Sequence, residues 1–365
     1  MRYTWMLILI GLENLMKKST QKPRNKLLWS VLFVTIAAAT IWAVLSQSKA
    51  FSLRSFVSYA SGASKPWLAM ALLSMLGFIV FEGEALVVIC RAFGYPVSHT
   101  HAFVYSASDI YVSAITPSAS GGQPACAWFM INDGIPGMVT AVALLANLTM
   151  YALSILVLGL VTLLIRPGVF LSFSLLSRGL VILGYLVQSV LAAFFVMLLL
   201  KGDLLHGICR KALHLLCKIR LLKQEEEKQR GLDRKMEEYA AHARMIKDHK
   251  RAMGKAFFFN MLQRASVISV PFFVFLASGG EAARSGDIWA VQCYTVIGSN
   301  AVPIPGAMGV SDYMMLDGFS KVVPCQNAVN FELLSRSVSF YVCVALCGLT
   351  VLIKYLRQRK QERTS

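Results

Sequence analysis

Val139–Ile165 reads VTAVALLANLTMYALSILVLGLVTLLI, 27 residues without a charge and apolar on every helical face. A helix on the surface of a soluble protein keeps a polar stripe toward water; this one has none. About 20 such residues cross the roughly 30 Å of bilayer hydrocarbon. Working outward, apolar runs of similar length occupy 27–46, 67–89, 179–200, 256–277 and 333–353. The whole chain is 56% hydrophobic and 15% charged, against about 25% charged in soluble domains. It is therefore expected to be an all-α polytopic membrane protein, and a water-soluble enzyme domain is excluded.

The formal charge of +17 suggests nucleic acid until its distribution is read. Lys17, Lys18, Lys22, Arg24 and Lys26 precede the first run, 15 of the 36 Lys and Arg lie in 201–255, and five follow Ile353. Basic residues collect in cytoplasmic loops, so these three segments are assigned to the cytoplasm. No direct nucleic-acid partner is expected; the partners are the bilayer of the cell membrane and its anionic headgroups. Met1–Gly11 lacks a small-residue cleavage site and reads as an amphipathic start rather than a signal peptide.

The charge rule then fixes the path. With both termini inside, 27–46 runs outward and 67–89 returns. The span 137–165 runs outward and 179–200 returns to the basic segment. That leaves 101–136 beginning and ending inside: an apolar stretch, then Pro117-Ser118-Ala119-Ser120-Gly121-Gly122-Gln123-Pro124, then another. After 256–277 runs outward, 278–332 begins and ends outside around Pro303-Ile304-Pro305-Gly306-Ala307-Met308-Gly309, and 333–353 runs inward. The expectation is about six full spans plus two re-entrant broken-helix hairpins in an inverted repeat. The first repeat is 27–165 and the second 166–200 with 256–353. Flanking them are an N-terminal segment (1–26), a basic helical insert (201–255) and a tail (354–365), all cytoplasmic. The competing reading makes both Pro/Gly clusters tight loops between full crossings, but the apolar arms 101–116 and 288–302 are short for that.

Irregular backbone at membrane depth is tolerated only where protein buries it or water reaches it. The two breaks are thus expected to line a cavity, and paired interruptions in inverted halves point to a transport site. Candidate substrate-binding residues are Ser118, Ser120, Gly121, Gly122 and Gln123 at the first break, and Pro303, Pro305, Gly306, Gly309 and Asp312 at the second. Arg264 and Arg336 are candidates for a phosphate, since a guanidinium is always charged and matches phosphate oxygens. Glu82 and Asp312 are the expected counter-ions of these arginines. The competing readings are helix-packing glycines and arginines that snorkel to an interface. Glu84 and Asp109 complete the ionisable residues within apolar segments, and His99 and His101 read as surface histidines. Cys343 and Cys347, one turn apart, suit packing. No catalytic template, nucleotide motif, cofactor or metal site is expected.

TPSASGGQPACAWFMINDGIP (Thr116–Pro136) and PIPGAMGVSDYMM (Pro303–Met315), with Arg336 downstream, resemble the lysylphosphatidylglycerol synthase/flippase transmembrane domain family over essentially 27–353. Gly121, Gly122, Gln123, Pro305, Gly306, Gly309 and Asp312 match the family motifs, while Ala307-Met308 depart from the usual Gly-Leu or Gly-Ile. The resemblance implies a role in handling lysylphosphatidylglycerol and in resistance to cationic peptides. Its best-known members add a soluble aminoacyltransferase domain. Twelve residues after the last run are too few for one, so lysyl transfer by this chain alone is not expected. Three functions follow: a translocase for an anionic or aminoacylated phospholipid; the membrane subunit of a lipid-modifying system with a separate aminoacyltransferase chain; or a non-transporting scaffold. A homo-oligomer is compatible with each.

Overall fold

The computed structural model describes residues 53–116, 119–200, 207, 239, 243, 246, 248–302, 304–307 and 309–364. The run 27–46, most of the basic insert, Pro117, Ser118 and Pro303 lie outside the described residues. The chain divides into two compact units, 1–51 with 197–244 and 52–196 with 245–365. In the first, the Tyr239 hydroxyl donates to the Leu198 carbonyl at 3.1 Å. All that follows concerns the second.

The described residues are helical, with no strand. In chain order they form α1 (Leu53–Gly62), α2 (Lys65–Ala92), α3 (His99–Ile115), α4 (Gly122–Asn132), α5 (Gly137–Ile165), α6 (Pro167–Ser172) and α7 (Leu175–Leu200). Then come α8 (Lys250–Ala277), α9 (Ala282–Ser299), α10 (Val310–Phe319), α11 (Cys325–Arg336) and α12 (Cys343–Thr364). Among the described residues, five helical stretches are long and apolar enough to cross a membrane: Lys65–Ala92, Gly137–Ile165, Leu175–Leu200, Lys250–Ala277 and Asn327–Gln358. The protein is an all-α polytopic membrane protein.

Three boundaries correct the sequence reading. α8 begins at Lys250, so the last residues assigned to the basic insert belong to a spanning helix. α9 begins at Ala282 rather than 288, because Arg284, Ser285 and Asp287 continue the helix with polar side chains. The last helical run opens at Cys325 rather than 333, its first turns carrying Gln326, Asn327, Asn330 and Glu332. Hydropathy locates where a helix is apolar, and backbone hydrogen bonding continues past that point.

α2 and α8 form an antiparallel central pair. Trp67 stacks on Phe273 and Phe81 on Phe259, with ring centroids 6.2 and 6.4 Å apart. The Ser64 N–H donates to the Ala277 carbonyl at 2.7 Å. α5 packs on α8, tied to it by Asn260 Nδ2 donating to Asn147 Oδ1 at 2.9 Å. Lipid gives no hydrophobic drive to helix association, so close packing and such hydrogen bonds must supply it. Gly184 in α7 lets the α9 backbone come close, since a Cβ there would lie 2.1 Å from the Ile297 carbonyl oxygen of α9.

Two helical hairpins flank this pair from opposite ends. α3 and α4 are antiparallel, and their open ends meet where Asp133 accepts from the Tyr105 hydroxyl at 2.8 Å. His101 and Lys354 also lie 3.3 Å from Asp133, and His99 pairs with Glu84. This end of the bundle carries Arg91 of α2 and Arg251 of α8. The α9–α10 hairpin opens at the other end, where Arg166 at the close of α5 pairs with Asp287 at 3.0 Å. There Arg284 donates to the Lys321 carbonyl at 3.0 Å, and Asp317 accepts from the Ser177 hydroxyl at 2.6 Å. α3 reaches the 3-10 turn Pro305–Ala307 at the tip of the second hairpin. The two halves also keep step along the chain. Gly122 and Val310 open α4 and α10, and Gly137 and Cys325 open α5 and α11; each pair is 188 positions apart (122 to 310, 137 to 325).

Candidate functional site at the two helix breaks

At the first break, Thr116 folds the chain back. Its hydroxyl donates to the Val112 carbonyl at 2.7 Å and accepts from the Gly121 N–H at 3.0 Å. Between them Ala119 adopts φ 51°, a left-handed conformation that costs an alanine about 1–2 kcal/mol. α4 then starts at Gly122, where a Cβ would fall 1.9 Å from Asp109 Oδ1 and 2.0 Å from Ser113 Oγ. Only glycine lets the two arms close this tightly. Both Asp109 oxygens are satisfied: Gln123 Nε2 donates to Oδ2, and Ser113 Oγ donates to Oδ1 at 3.1 Å.

Glu82 on α2 lies against this carboxylate and is itself buried. It accepts from Gln263 Nε2 at 2.9 Å and from Ser106 Oγ at 3.2 Å. Among the described residues Glu82 is not ion-paired with Arg264, contrary to the expectation. Arg264 instead lies over the Tyr151 ring at 4.0 Å and the Phe78 ring at 5.2 Å. It is the fifteenth residue of α8 (Lys250–Ala277), too deep to snorkel from its start. Cation–π contact is worth about 0.5–2 kcal/mol and satisfies no N–H; the buried Nε of Arg264 has no hydrogen-bond partner.

At the second break, Gly306 and Ala307 have φ 58° and 51°, and Gly309 has φ 81° where it caps α10. Ala119 and Ala307 are the non-glycine residues with positive φ among the described residues, and they stand 188 positions apart (119 to 307). Such strained backbone persists only where its surroundings enforce it, and it clusters at functional sites. Asp312 Oδ2 accepts from the Gly309 N–H at 2.8 Å, the reach-back of an N3 carboxylate to a helix cap. Its other oxygen lies 2.7 Å from Arg336 Nε. Arg336 Nη1 donates to Ser311 Oγ at 2.6 Å, and Nη2 donates to the Gly306 carbonyl at 3.2 Å. One guanidinium therefore holds the turn, the cap and α10 together. Ser337–Val342 follows as a π-helical turn, packed against α2 and α8; such turns are frequent at functional sites.

The structure thus gathers Gly122 and Gln123 around Asp109, with Gly121 against Thr116. It gathers Gly306 and Asp312 around Arg336, with Gly309 bonded to Asp312 and Pro305 opening the 3-10 turn. Ser120 lies in the first turn, while Ser118 and Pro303 fall outside the described residues. Arg336 closes α11, eleven residues past Cys325, and lies ten residues into the membrane-length stretch Asn327–Gln358, because the polar first turns of α11 are helical. Sequence reasoning missed Ser113, Gln263, Ser311 and Glu332. The last is buried and interacts with both Asp312 and Arg336. Its spacing of four from Arg336 on one helix face was the available signal.

The fold and these two clusters define a polytopic membrane protein whose ionisable groups meet broken helices inside the bundle. The chain belongs to the family described as the lysylphosphatidylglycerol synthase TM region, whose model matches residues 7–347. A comparison with curated proteins gave no match.

Proposed function

We propose that this protein is a lipid translocase that passes an anionic or aminoacylated phospholipid, such as lysylphosphatidylglycerol, between leaflets of the cell membrane. The carrying observation is that two broken hairpins open at opposite ends of the bundle, that α3 reaches the tip of the other hairpin, and that Arg336 holds that tip. On this reading the hairpins are re-entrant, and the end carrying Arg91, Arg251 and Lys354 faces the cytoplasm, as the bias of basic residues suggests. Inverted halves with broken helices at their interface are the arrangement from which alternating access is built.

The charges suit a headgroup with both signs. Arg264 has unspent donors in an aromatic setting, and Arg336 can exchange Asp312 for a phosphate oxygen. Glu82 and Asp109 offer carboxylates to a lysyl ammonium. The lipid tails stay in the bilayer while the headgroup crosses between the breaks. Liposomes containing the protein and labelled lysylphosphatidylglycerol test this directly. Leaflet exchange that Arg336→Ala abolishes supports the proposal. Absence of exchange for lysylphosphatidylglycerol and phosphatidylglycerol alike, with the protein folded and inserted, refutes it.

A further inference from the structure

A second feature lies away from the breaks, at the Arg91 end of the α2–α8 pair. An open hollow of about 690 Å3 runs between the two helices. Its floor is apolar, with Val88, Phe258 and Phe259; Phe259 is fixed by its stack on Phe81, and Phe258 is 58% exposed. Its rim carries Arg91, Arg251 and Lys255, all exposed and, among the described residues, without a hydrogen-bond or ion-pair partner. The carboxylate on this hollow, Glu84, is engaged by His99. Gly254 faces open space, with nothing within 4 Å of where its Cβ would stand, so the hollow narrows nowhere at that point. Past the cations a second hollow of about 910 Å3 shares Val88, Arg91, Arg251 and Lys255 and continues to Asp248, His249 and Lys250. The two hollows thus set an aromatic floor beside a group of cations at one end of the α2–α8 pair, the two surfaces that the acyl chain and the phosphate of a phospholipid require.

We infer that this groove binds one anionic phospholipid, its phosphate against Arg91, Arg251 and Lys255 and its acyl chain over Phe258 and Phe259. A soluble anion would use the cations and leave the aromatic floor unused; a zwitterionic lipid would use the floor and leave an excess of positive charge. The inference does not rest on translocation, because the groove could load lipid in a protein that never moves it.

The test titrates phosphatidylglycerol onto the purified full chain in neutral detergent, counting bound lipid by native mass spectrometry. Phosphatidylcholine and sodium phosphate serve as comparison probes. Wild type and Arg336→Gln are both measured, so that lipid held at the breaks is separated from lipid held in the groove. Each surface cation near an anionic lipid contributes about fivefold in affinity. The combined Arg91→Gln, Arg251→Gln and Lys255→Gln variant should therefore weaken phosphatidylglycerol binding by about two orders of magnitude, leaving phosphatidylcholine unchanged. Gly254→Leu, which keeps every charge and fills the groove, should also weaken it. Wild-type affinity in both variants overturns the inference, as does displacement of phosphatidylglycerol by millimolar phosphate. Loss of leaflet exchange in Arg336→Gln with groove binding intact counts for both readings, whereas groove binding without exchange in wild type removes only the translocase.

Discussion

Arg336 makes its three polar contacts with one short stretch of chain, Gly306 to Asp312. Arg336 is buried but the Asp312 side chain is 31% exposed, so removing the arginine strands a carboxylate that water partly reaches, at a cost below the about 3–5 kcal/mol of a fully buried pair. Arg336→Ala should thus lower thermal stability markedly in detergent as well as stop exchange. The double change Arg336→Met with Asp312→Leu separates the two effects: much of the stability should return while exchange does not. Full return of exchange in the double variant would remove Arg336 from the site. Gly122 makes a purely steric test. A methyl group there collides with Asp109 and Ser113, and Gly122→Ala should cost about 1–3 kcal/mol, read as a lowered unfolding temperature. Both residues were legible in the sequence, one as a charge in an apolar run and the other as part of a glycine pair. The partners Ser113, Gln263 and Ser311 were not, because a neutral polar residue in a span acquires meaning only from what faces it.

At the scale of elements, the breaks owe their form to matched strain. Ala119 and Ala307 hold the same left-handed conformation three residues before α4 and α10 begin. Glycine would relieve it, so Ala307→Gly should leave the unfolding temperature equal or raised by the equivalent of about 1 kcal/mol. A clear fall would show that the alanine methyl, rather than the backbone turn, is what the site needs. The helix existence and order were readable from apolar runs, and α5 matches the expected bounds of 137–165. The ends of α8, α9 and α11 were not, since each begins with polar or charged residues that hydropathy assigns to loops. Gly184 illustrates the remaining blind spot. It looks like one small residue among many in α7, yet its missing Cβ admits the α9 backbone. Gly184→Leu should separate these helices and lower stability by more than the same change at Gly179, which faces open space.

For the whole molecule, the central claim is that the two hairpins enter the membrane from opposite faces and converge on a headgroup site. Charge bias along the sequence is what led to that proposal, and the contacts at Asp133 and at Asp287 put the hairpin mouths at opposite ends of the bundle. What the sequence could not supply was depth, because it carries no information on which level of one helix faces which level of another. The most direct measurement uses a cysteine-free background with single cysteines at Asn132 and Lys321, the mouths of the first and second hairpins. Each is labelled with a membrane-impermeant maleimide in right-side-out and inverted vesicles. The account predicts that Asn132→Cys reacts from the cytoplasmic face and Lys321→Cys from the opposite face. Labelling of both from one face would contradict it.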